Sequence, residues 1–259
     1  MFIDSHAHLE MSEFDSDREE VLKRAAAAGV DLIVTVGTNV ALSRRAVDLA
    51  QKNKNVFATV GVHPHDAERA DKNTWDALKK LAQANPGKVV AYGEIGLDFF
   101  RNLSARDVQL SAFGAQLELA ADLRLPVVIH DREAHEQTLA MIRASGVRRG
   151  VFHCFSGDYE MAGKCLDLGF YLSIPGVVTF QKAKTLQDVV ARVPLSSLLL
   201  ETDAPYLAPV PHRGERNEPS FLIYTAEKVA EIKKSAVEDI ATITAQNTMN
   251  LFGLTPSAP

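Results

Sequence analysis

A histidine pair at the end of an apolar run is the first feature of this sequence that could do chemistry. The segment Phe2-Ile3-Asp4-Ser5 leads into His6-Ala7-His8. Side chains along a strand alternate between its two faces, so both imidazoles would point the same way and could bind one divalent cation. A His-x-His pair also occurs by chance among surface histidines, so ligation needs support from the rest of the chain.

Five further apolar runs end in the same kinds of side chain. They lead into His63-Pro64-His65, Glu94 with Asp98 shortly after it, His130-Asp131, His153-Cys154, and Glu201-Thr202-Asp203. If these runs are strands of one parallel barrel, their carboxyl ends open on one face and the side chains meet in one cavity. Burying polar groups without partners costs on the order of a few kcal/mol each, so ordinary core residues explain one or two such endings but not six.

The number of candidate ligands predicts two metal ions. Four histidines and two carboxylates exceed what one tetrahedral ion needs if it keeps a position for water. A carboxylate that bridges two ions about 3.5–4 Å apart accounts for the excess. Glu94 is the candidate bridge, because Gly93 and Gly96 allow the backbone to approach closely. The predicted sites are His6, His8, Glu94 and Asp203 for one ion, and Glu94, His130 and His153 for the other.

Hydrolysis is the chemistry that such a centre would perform, since paired cations lower the pKa of a bound water. Glu94 and Asp203 are the predicted catalytic carboxylates, with Asp203 as general base; the alternative is that Asp203 is a ligand only. Glu201 has the same strand parity as Asp203, so it would point inward and orient a ligating histidine. The alternative for Glu201 is a buried, hydrogen-bonded carboxylate. On affinity grounds the ligands suit Zn²⁺, Mn²⁺, Fe²⁺ or Ni²⁺.

Candidate substrate-binding residues lie on the loops that follow the strands. His63, His65 and Arg213 are predicted to contact substrate, and arginine matches phosphate with paired N–H donors. Other cationic loop residues could equally be solvated charges: Arg101, Arg132, Lys182, His212 and Arg216. His135 lies on a helical pattern and is predicted to be structural. Phe99 and Phe100 could stack on a base or pack beneath a loop.

The elements that would position these residues alternate regularly between strand and helix. Strands are predicted at Met1–Ser5, Leu32–Val36, Phe57–Gly61, Val89–Gly93, Pro126–Ile129, Gly150–Phe152, Phe170–Ile174 and Leu198–Glu201. Helices are predicted at Asp17–Ala28, Ala41–Lys52, Thr74–Ala84, Ala105–Leu123, Ala134–Ala144, Tyr159–Leu168, Lys182–Ala191, Ser220–Ile232 and Ala236–Leu251. Asn39 and Ser104 are candidate N-caps, and Gly29, Gly146 and Gly169 stand where helices should end.

Eight strand–helix units predict an α/β fold, a TIM-like (β/α)₈ barrel in a single domain over residues 1–259. A doubly wound open sheet would give the same local pattern, and the converging site residues favour the barrel. The length allows either one large domain or two small ones, but no Pro/Gly/Ser-rich linker marks a boundary.

Composition narrows the function classes. Of the 259 residues, 46% are hydrophobic and 24% charged, as in ordinary globular proteins. The net charge of −5 argues against coating nucleic acid or membranes through bulk charge, but allows a local basic patch. Two cysteines, no signal-peptide pattern and no spanning apolar run predict a cytoplasmic protein without a membrane partner or an obligate protein partner.

Motifs along the whole chain resemble those of the TatD-like deoxyribonucleases, within the metal-dependent amidohydrolase superfamily. The motifs are Ile3-Asp4-Ser5-His6-Ala7-His8-Leu9, Gly61-Val62-His63-Pro64-His65, Gly93-Glu94-Ile95-Gly96-Leu97-Asp98, Ile129-His130-Asp131-Arg132, Phe152-His153-Cys154-Phe155-Ser156-Gly157, and Glu201-Thr202-Asp203-Ala204-Pro205, followed by His212-Arg213-Gly214. The resemblance implies two divalent ions on the ligands above, Mg²⁺ or Mn²⁺ for activity, and 3′-to-5′ trimming of single-stranded DNA. Phe99-Phe100 departs from the tyrosines often found there, which puts a phenolic hydrogen bond to substrate in doubt.

Three functions remain open at this stage. The first is a TatD-type nuclease acting on single-stranded DNA or RNA. The second is a small-molecule esterase or lactonase that uses the same metals, which the acidic net charge keeps in play. The third is a metal-binding scaffold without catalysis, which would predict a missing ligand or base. Oligonucleotide and ester panels separate the first two, and loss of activity in Asp203→Asn would exclude the third.

Overall fold

The computed structural model describes residues 1–254, and within them eight parallel strands pair in chain order. The strands are β1 (Phe2–Ala7), β2 (Val30–Val36), β3 (Val56–Val60), β4 (Val89–Asp98), β5 (Val127–Arg132), β6 (Gly150–Phe152), β7 (Tyr171–Ile174) and β8 (Leu198–Leu200). The helices are α1 (Arg18–Ala27), α2 (Val40–Lys52), α3 (Lys72–Ala84), α4 (Arg106–Leu123), α5 (His135–Ser145), α6 (Tyr159–Asp167), α7 (Lys184–Arg192), α8 (Leu222–Lys233) and α9 (Val237–Phe252). In the described part of the chain, no helix is both long and apolar enough to cross a membrane.

The first and last strands meet at their carboxyl ends. The backbone N–H of His8 donates to the carbonyl of Ala204 at 2.7 Å, and the N–H of Asp203 donates to the carbonyl of His6 at 2.9 Å. These bonds bring the two ends of the strand order together, which an open doubly wound sheet would not do. The predicted TIM-like (β/α)₈ barrel is therefore confirmed. The prediction of one domain covers residues 1–259, of which the last five lie outside the described residues.

Two apolar clusters hold the strands in place. The larger packs the helices onto the sheet, with Phe113 of α4 and Leu139 of α5 fully buried. The smaller joins strand residues such as Ile3 and Leu199 to Phe252 of α9. Each buried side chain of this size contributes about 1.5–3 kcal/mol, so the strand ends that carry the site are held by a rigid scaffold.

Three strands run further than the sequence predicts, and the first of them, β1, ends at Ala7 instead of Ser5. The predicted strands stop at Gly93 and Ile129, whereas β4 continues to Asp98 and β5 to Arg132. The register between β4 and β5 shifts after Tyr92, and pairing then resumes. A glycine normally weakens a strand, but here it lets two backbones approach. A Cβ on Gly96, where φ is +146°, would collide with the carbonyl oxygen of His130. Glu94 therefore lies inside a strand and not in the loop after it.

The residues predicted to cap or end helices do so in the structure, except at one position. Asn39 caps α2 by accepting the N–H of Leu42 at 3.0 Å, and Gly29, Gly146 and Gly169 all have positive φ at helix ends. The prediction that Ser104 caps α4 is wrong. Ala105 precedes α4 without a side-chain cap, and the Ser104 hydroxyl donates instead to the carbonyl of His65 at 3.0 Å. The hydroxyl therefore makes a tertiary hydrogen bond and does not cap the helix.

Candidate active site

Glu94 lies at the centre of a cluster of histidines, and its two carboxylate oxygens face different partners. Oε1 lies 2.8 Å from His130 Nδ1 and 2.7 Å from His153 Nε2. Oε2 lies 3.5 Å from His6 Nε2 and 3.8 Å from His8 Nε2. Glu94 is buried inside β4, and its flanking glycines allow the strands to close around it. One carboxylate thus serves two groups of nitrogen atoms.

The first group comes from β1 and the segment after β8. The Nε2 atoms of His6 and His8 lie 3.3 Å apart, and Asp203 Oδ1 is 3.7 and 3.4 Å from them. The predicted shared direction of the two imidazoles is thus observed. Ligand atoms around a tetrahedral ion with bonds of about 2.1 Å lie about 3.4 Å from one another. These spacings fit a bound cation.

Hydrogen bonds on the outer ring nitrogens also fit a cation. His8 Nδ1 is 3.1 Å from the carbonyl of Val36, which can only accept, so a proton stays on Nδ1 and Nε2 is the nitrogen that could give up its proton to bind a cation. In the second group, His130 Nε2 faces Asp98 Oδ2 at 3.3 Å, leaving Nδ1 free to bind. His153 Nδ1 faces Glu201 Oε1 at 3.7 Å. A carboxylate or carbonyl that faces the outer nitrogen of a histidine and orients its ring is typical of metal sites.

His63 has the opposite hydrogen-bonding pattern. Its Nδ1 accepts the backbone N–H of His65 at 3.1 Å, so in the neutral ring the proton is on Nε2. That atom points into the site, 3.3 Å from Glu94 Oε1 and 3.3 Å from His130 Nδ1. Burial lowers the pKa of His63 to about 4, which keeps the ring neutral near pH 7. His63 Nε2 is therefore a donor to the site, whereas His8 and His130 have their accepting partners on the outer ring nitrogen.

Glu94 and Asp203 are ionised near neutral pH. Burial alone raises the pKa of Glu94, but the charge of His153 and the hydrogen bond from His130 outweigh it and hold that pKa well below the usual range. Burial likewise opposes ionisation of Asp203, and the hydrogen bond from His8 and the charge of His6 lower its pKa. Two anions surrounded by imidazoles are the donor set that a divalent cation requires.

Residues 3–253 match the sequence profile of the family described as TatD related DNase. The match covers almost the entire chain. The chain belongs to the TatD family. It is therefore a metal-dependent hydrolase, in agreement with the chemistry predicted from the sequence.

Relatives agree with that assignment along their whole lengths. The uncharacterized metal-dependent hydrolase YabD of Bacillus subtilis (strain 168) is 41% identical over 254 residues, 97% of this chain and 99% of the relative. The 3′-5′ ssDNA/RNA exonuclease TatD of Pantoea ananatis (strain LMG 20103) is 41% identical over 259 residues, with the same shares of the two chains. The crystal structure of YJJV, a TatD homologue from Escherichia coli K12, superposes with a TM-score of 0.94 at 34% identity and covers 98% of each chain.

The site of this TatD-family chain contains buried carboxylates to which the sequence analysis assigned no role. Asp98 Oδ2 accepts from His65 Nε2 at 2.7 Å and lies 3.3 Å from His130 Nε2, so one oxygen links two histidines. Glu10 is fully buried behind His8, with Oε1 3.5 Å from His8 Nδ1 and Oε2 accepting the Thr35 hydroxyl at 2.7 Å. Glu10 lies in a turn three residues beyond the end of β1, where strand parity gives no guide to its direction.

Asp203 is held in place by a residue at the other end of the chain. Its φ of +57° lies in the left-handed region, beyond the end of β8, so strand parity does not explain its direction. Asp4 accepts the N–H of Thr202 at 3.0 Å and the Thr202 hydroxyl at 2.5 Å. Burial raises the pKa of Asp4 to about 7, although these hydrogen bonds oppose the shift. The Asp4 clamp fixes the backbone next to Asp203.

The remaining predicted residues range from the buried Glu201 to the exposed Arg213. Glu201 is fully buried, and beside its contact with His153 it accepts the N–H of Cys154 at 2.6 Å. His65 is partly exposed at the edge of the cluster. Arg213 lies on the loop after β8, exposed, with its guanidinium 4.6 Å from the ring centre of Phe180. In residues 1–254 it makes no ion pair with the cluster.

His135 lies outside the cluster, as its helical position predicts. Its Nδ1 donates to Asp131 Oδ2 at 2.8 Å, and this hydrogen bond raises the pKa of His135 above its ordinary 6.5. The folded state therefore favours the charged ring: the stabilisation is complete below pH 6.5 and is lost as pH rises through the folded value.

We expect His135→Gln to lower the free energy of unfolding by less than about 1 kcal/mol at pH 5.5, because the side chain is a third exposed and screened. At pH 9 the loss should be smaller still. Urea unfolding with chelator present measures both values, and the wild type titrated in parallel is the control. An equal loss at the two pH values would contradict the ion pair.

Proposed function

We propose that this TatD-family hydrolase cleaves phosphodiester bonds in single-stranded DNA, and in RNA of the same form, from the 3′ end. The proposal depends on one observation above all, the division of the Glu94 oxygens between two groups of histidines. That division fits a carboxylate bridging two divalent cations, and such pairs clamp the attacking and leaving oxygens of a phosphate. The exonuclease named for the Pantoea relative supports the substrate and the polarity.

Two cation positions follow from the same geometry. His6, His8 and Asp203 lie close enough to hold one ion together with Glu94 Oε2, and His130, His153 and Glu94 Oε1 would hold the other. Divalent cations bound there would lower the pKa of water and polarise the phosphoryl oxygen. Mg²⁺ or Mn²⁺ would support activity, and the imidazole-rich donor set also accommodates Zn²⁺.

Asp203 would act as general base in addition to ligand. Its side chain is 12% exposed, against 3% for Glu94, so water reaches Asp203 more readily. Its lowered pKa keeps it ionised and able to accept a proton from the attacking water. Glu201 and Asp98 would orient His153 and His130 without touching substrate.

His63 would donate its Nε2 proton in a hydrogen bond to an oxygen of the reacting phosphate. The backbone N–H of His65 holds the ring in the orientation that this role requires. An N–H donor that is already oriented in a buried site stabilises the negative charge that develops on such an oxygen. His65 and Arg213 would bind parts of the substrate further from the reacting phosphate.

His63→Phe is expected to lower kcat by about 10²-fold, because one preorganised donor is lost, while metal content stays unchanged. His63→Gln keeps an N–H donor and should recover part of the rate. The measurement is kcat together with metal content by mass spectrometry. A loss of metal in His63→Phe would show instead that His63 is a ligand.

The function is tested with single strands labelled at either end. With Mg²⁺ or Mn²⁺ present, a 5′-labelled strand should shorten stepwise, while a 3′-labelled strand should release labelled mononucleotide at once. The same protein is assayed on a panel of esters and lactones at equal concentration. Turnover of an ester or lactone with no cleavage of any strand would overturn the proposal and favour the small-molecule hydrolase.

A further inference from the structure

Exposed apolar side chains are concentrated at the mouth of the barrel. Among residues 1–254, eight large apolar side chains are exposed, and five of them belong to two loops at the carboxyl ends of the strands. Phe100 and Leu103 lie on the loop after β4, and Tyr206, Leu207 and Val210 lie on the loop after β8. Exposed apolar surface beside a polar centre marks a binding site.

The first loop forms a platform with the end of β5, here called the Phe100 platform and made of Phe100, Leu103 and Arg132. Phe100 is 54% exposed, and the Arg132 guanidinium lies 4.1 Å from its ring centre. The platform adjoins the site through the chain itself. Phe100 follows Asp98 by two residues, and Asp98 contacts His130.

The second loop forms the Tyr206 platform, made of Tyr206, Leu207, Val210, Phe180 and Arg213. Tyr206 is 47% exposed, with its ring centre 6.1 Å from that of His8. The N–H of Val210 donates to the Thr179 hydroxyl at 2.9 Å, which joins this loop to the segment carrying Phe180. Arg213 lies over Phe180. The two platforms therefore adjoin opposite histidine groups of Glu94.

The arginines of the two platforms, unlike Arg216 and Arg24, have no acidic partner in the described residues. Arg216 pairs with Asp17 at 2.7 Å, and Arg24 pairs with Glu218 at 2.6 Å. Neither Arg132 nor Arg213 has a carboxylate within 4 Å anywhere in the described residues. Their guanidinium N–H groups are therefore available to an external anion. Each guanidinium is also held over an aromatic ring by a cation–π contact.

We propose that the Phe100 and Tyr206 platforms bind one unpaired polynucleotide strand across the site. Bases on either side of the reacting phosphate would stack on Phe100 and Tyr206, with that phosphate at Glu94, and the next phosphate on the 5′ side would bind the arginine of the platform that it reaches, Arg132 or Arg213. This inference rests on the proposed function and adds to it a minimum substrate: a strand with bases on both sides of the reacting phosphate. Paired bases cannot stack on the rings, so a duplex should bind weakly.

The test compares Phe100→Leu and Tyr206→Leu with a matched control. Leucine keeps apolar volume but removes the flat ring. Phe57→Leu is the control, because Phe57 also lies beneath a cation, with Lys88 Nζ at 5.1 Å, but near the amino end of β3. Each variant is assayed on a fluorescent single-stranded 12-mer and on a fluorescent strand of the same length made of abasic tetrahydrofuran residues, which keeps the phosphodiesters but has no bases. Strand affinity is measured separately by fluorescence anisotropy with chelator present.

Each platform variant should weaken strand binding and raise KM for the 12-mer by about 10-fold or more, since base stacking on an aromatic ring contributes that much per base. Hydrolysis of the abasic strand should not change, and Phe57→Leu should match the wild type on both substrates. Equal effects of a platform variant on both substrates, or none on either, would overturn the inference even if the wild type cleaves strands. Ring-dependent binding without cleavage would leave the platforms in place and remove the nuclease activity.

Discussion

Glu94→Gln is expected to reduce kcat for phosphodiester hydrolysis by about 10³-fold or more, equivalent to about 4 kcal/mol in the activation barrier. The amide is neutral and offers one oxygen, whereas the carboxylate faces nitrogen atoms on both sides. Both cation positions share this one side chain. Its neutralisation should therefore lower the affinity for both ions together.

Metal binding provides the independent readout for Glu94. Isothermal titration of the metal-free variant with Mn²⁺ should show both binding events weakened. Glu227→Gln removes an exposed carboxylate on α8 and is the matched control, with wild-type binding and rate expected. If Glu94→Gln loses only one ion, Glu94 belongs to one position and the bridge is refuted.

Asp203→Asn is expected to lower kcat by about 10³-fold, within the range of the loss of a general base. Asparagine keeps an oxygen that can face His6 and His8, but it cannot take a proton from water. Measuring the rate of the variant at high metal concentration therefore distinguishes the two hypotheses for Asp203, ligand only or ligand and base. If Asp203 is a ligand only, excess Mn²⁺ should restore the rate; if it is also the base, the rate should stay low.

The pH profile gives a second measure of Asp203. In the wild type, the lowered pKa of Asp203 means that the base stays ionised in mild acid, so kcat should fall only at low pH. In Asp203→Asn that acidic limb should disappear. Thr202→Val, which loses only the hydroxyl that Asp4 accepts, is a conservative comparison that keeps the carboxylate. An unchanged acidic limb in Asp203→Asn would assign the titration to another group.

The sequence predicted the barrel and the cluster because both depend on local rules. Alternation along β1 places His6 and His8 on one face, and parallel strands bring their carboxyl ends together whatever the loops do. Gly96 beside Glu94 indicated a close backbone approach, and the structure has one there. These features need only the residue type and its place in a repeating pattern.

Other features depend on what lies across the barrel from a residue. Strand parity could not direct Asp203, since its backbone is left-handed and is held by Asp4 from the far end of the chain. Ser104 has the residue type of a helix cap, but the carbonyl of His65 takes its hydroxyl. Such partners are distant in the sequence, and no local pattern records them.

By itself, the sequence determined the eight strand–helix units, the side chains that meet at the barrel mouth, and the kind of chemistry they could perform. Only the tertiary structure decided how Glu94 divides its two oxygens, and that His63 Nδ1 accepts a backbone N–H while His8 Nδ1 faces a backbone carbonyl. The physical reason is that each depends on which backbone group faces a ring nitrogen. Backbone N–H and C=O groups are the same in every residue type, so their placement follows from the packed fold alone.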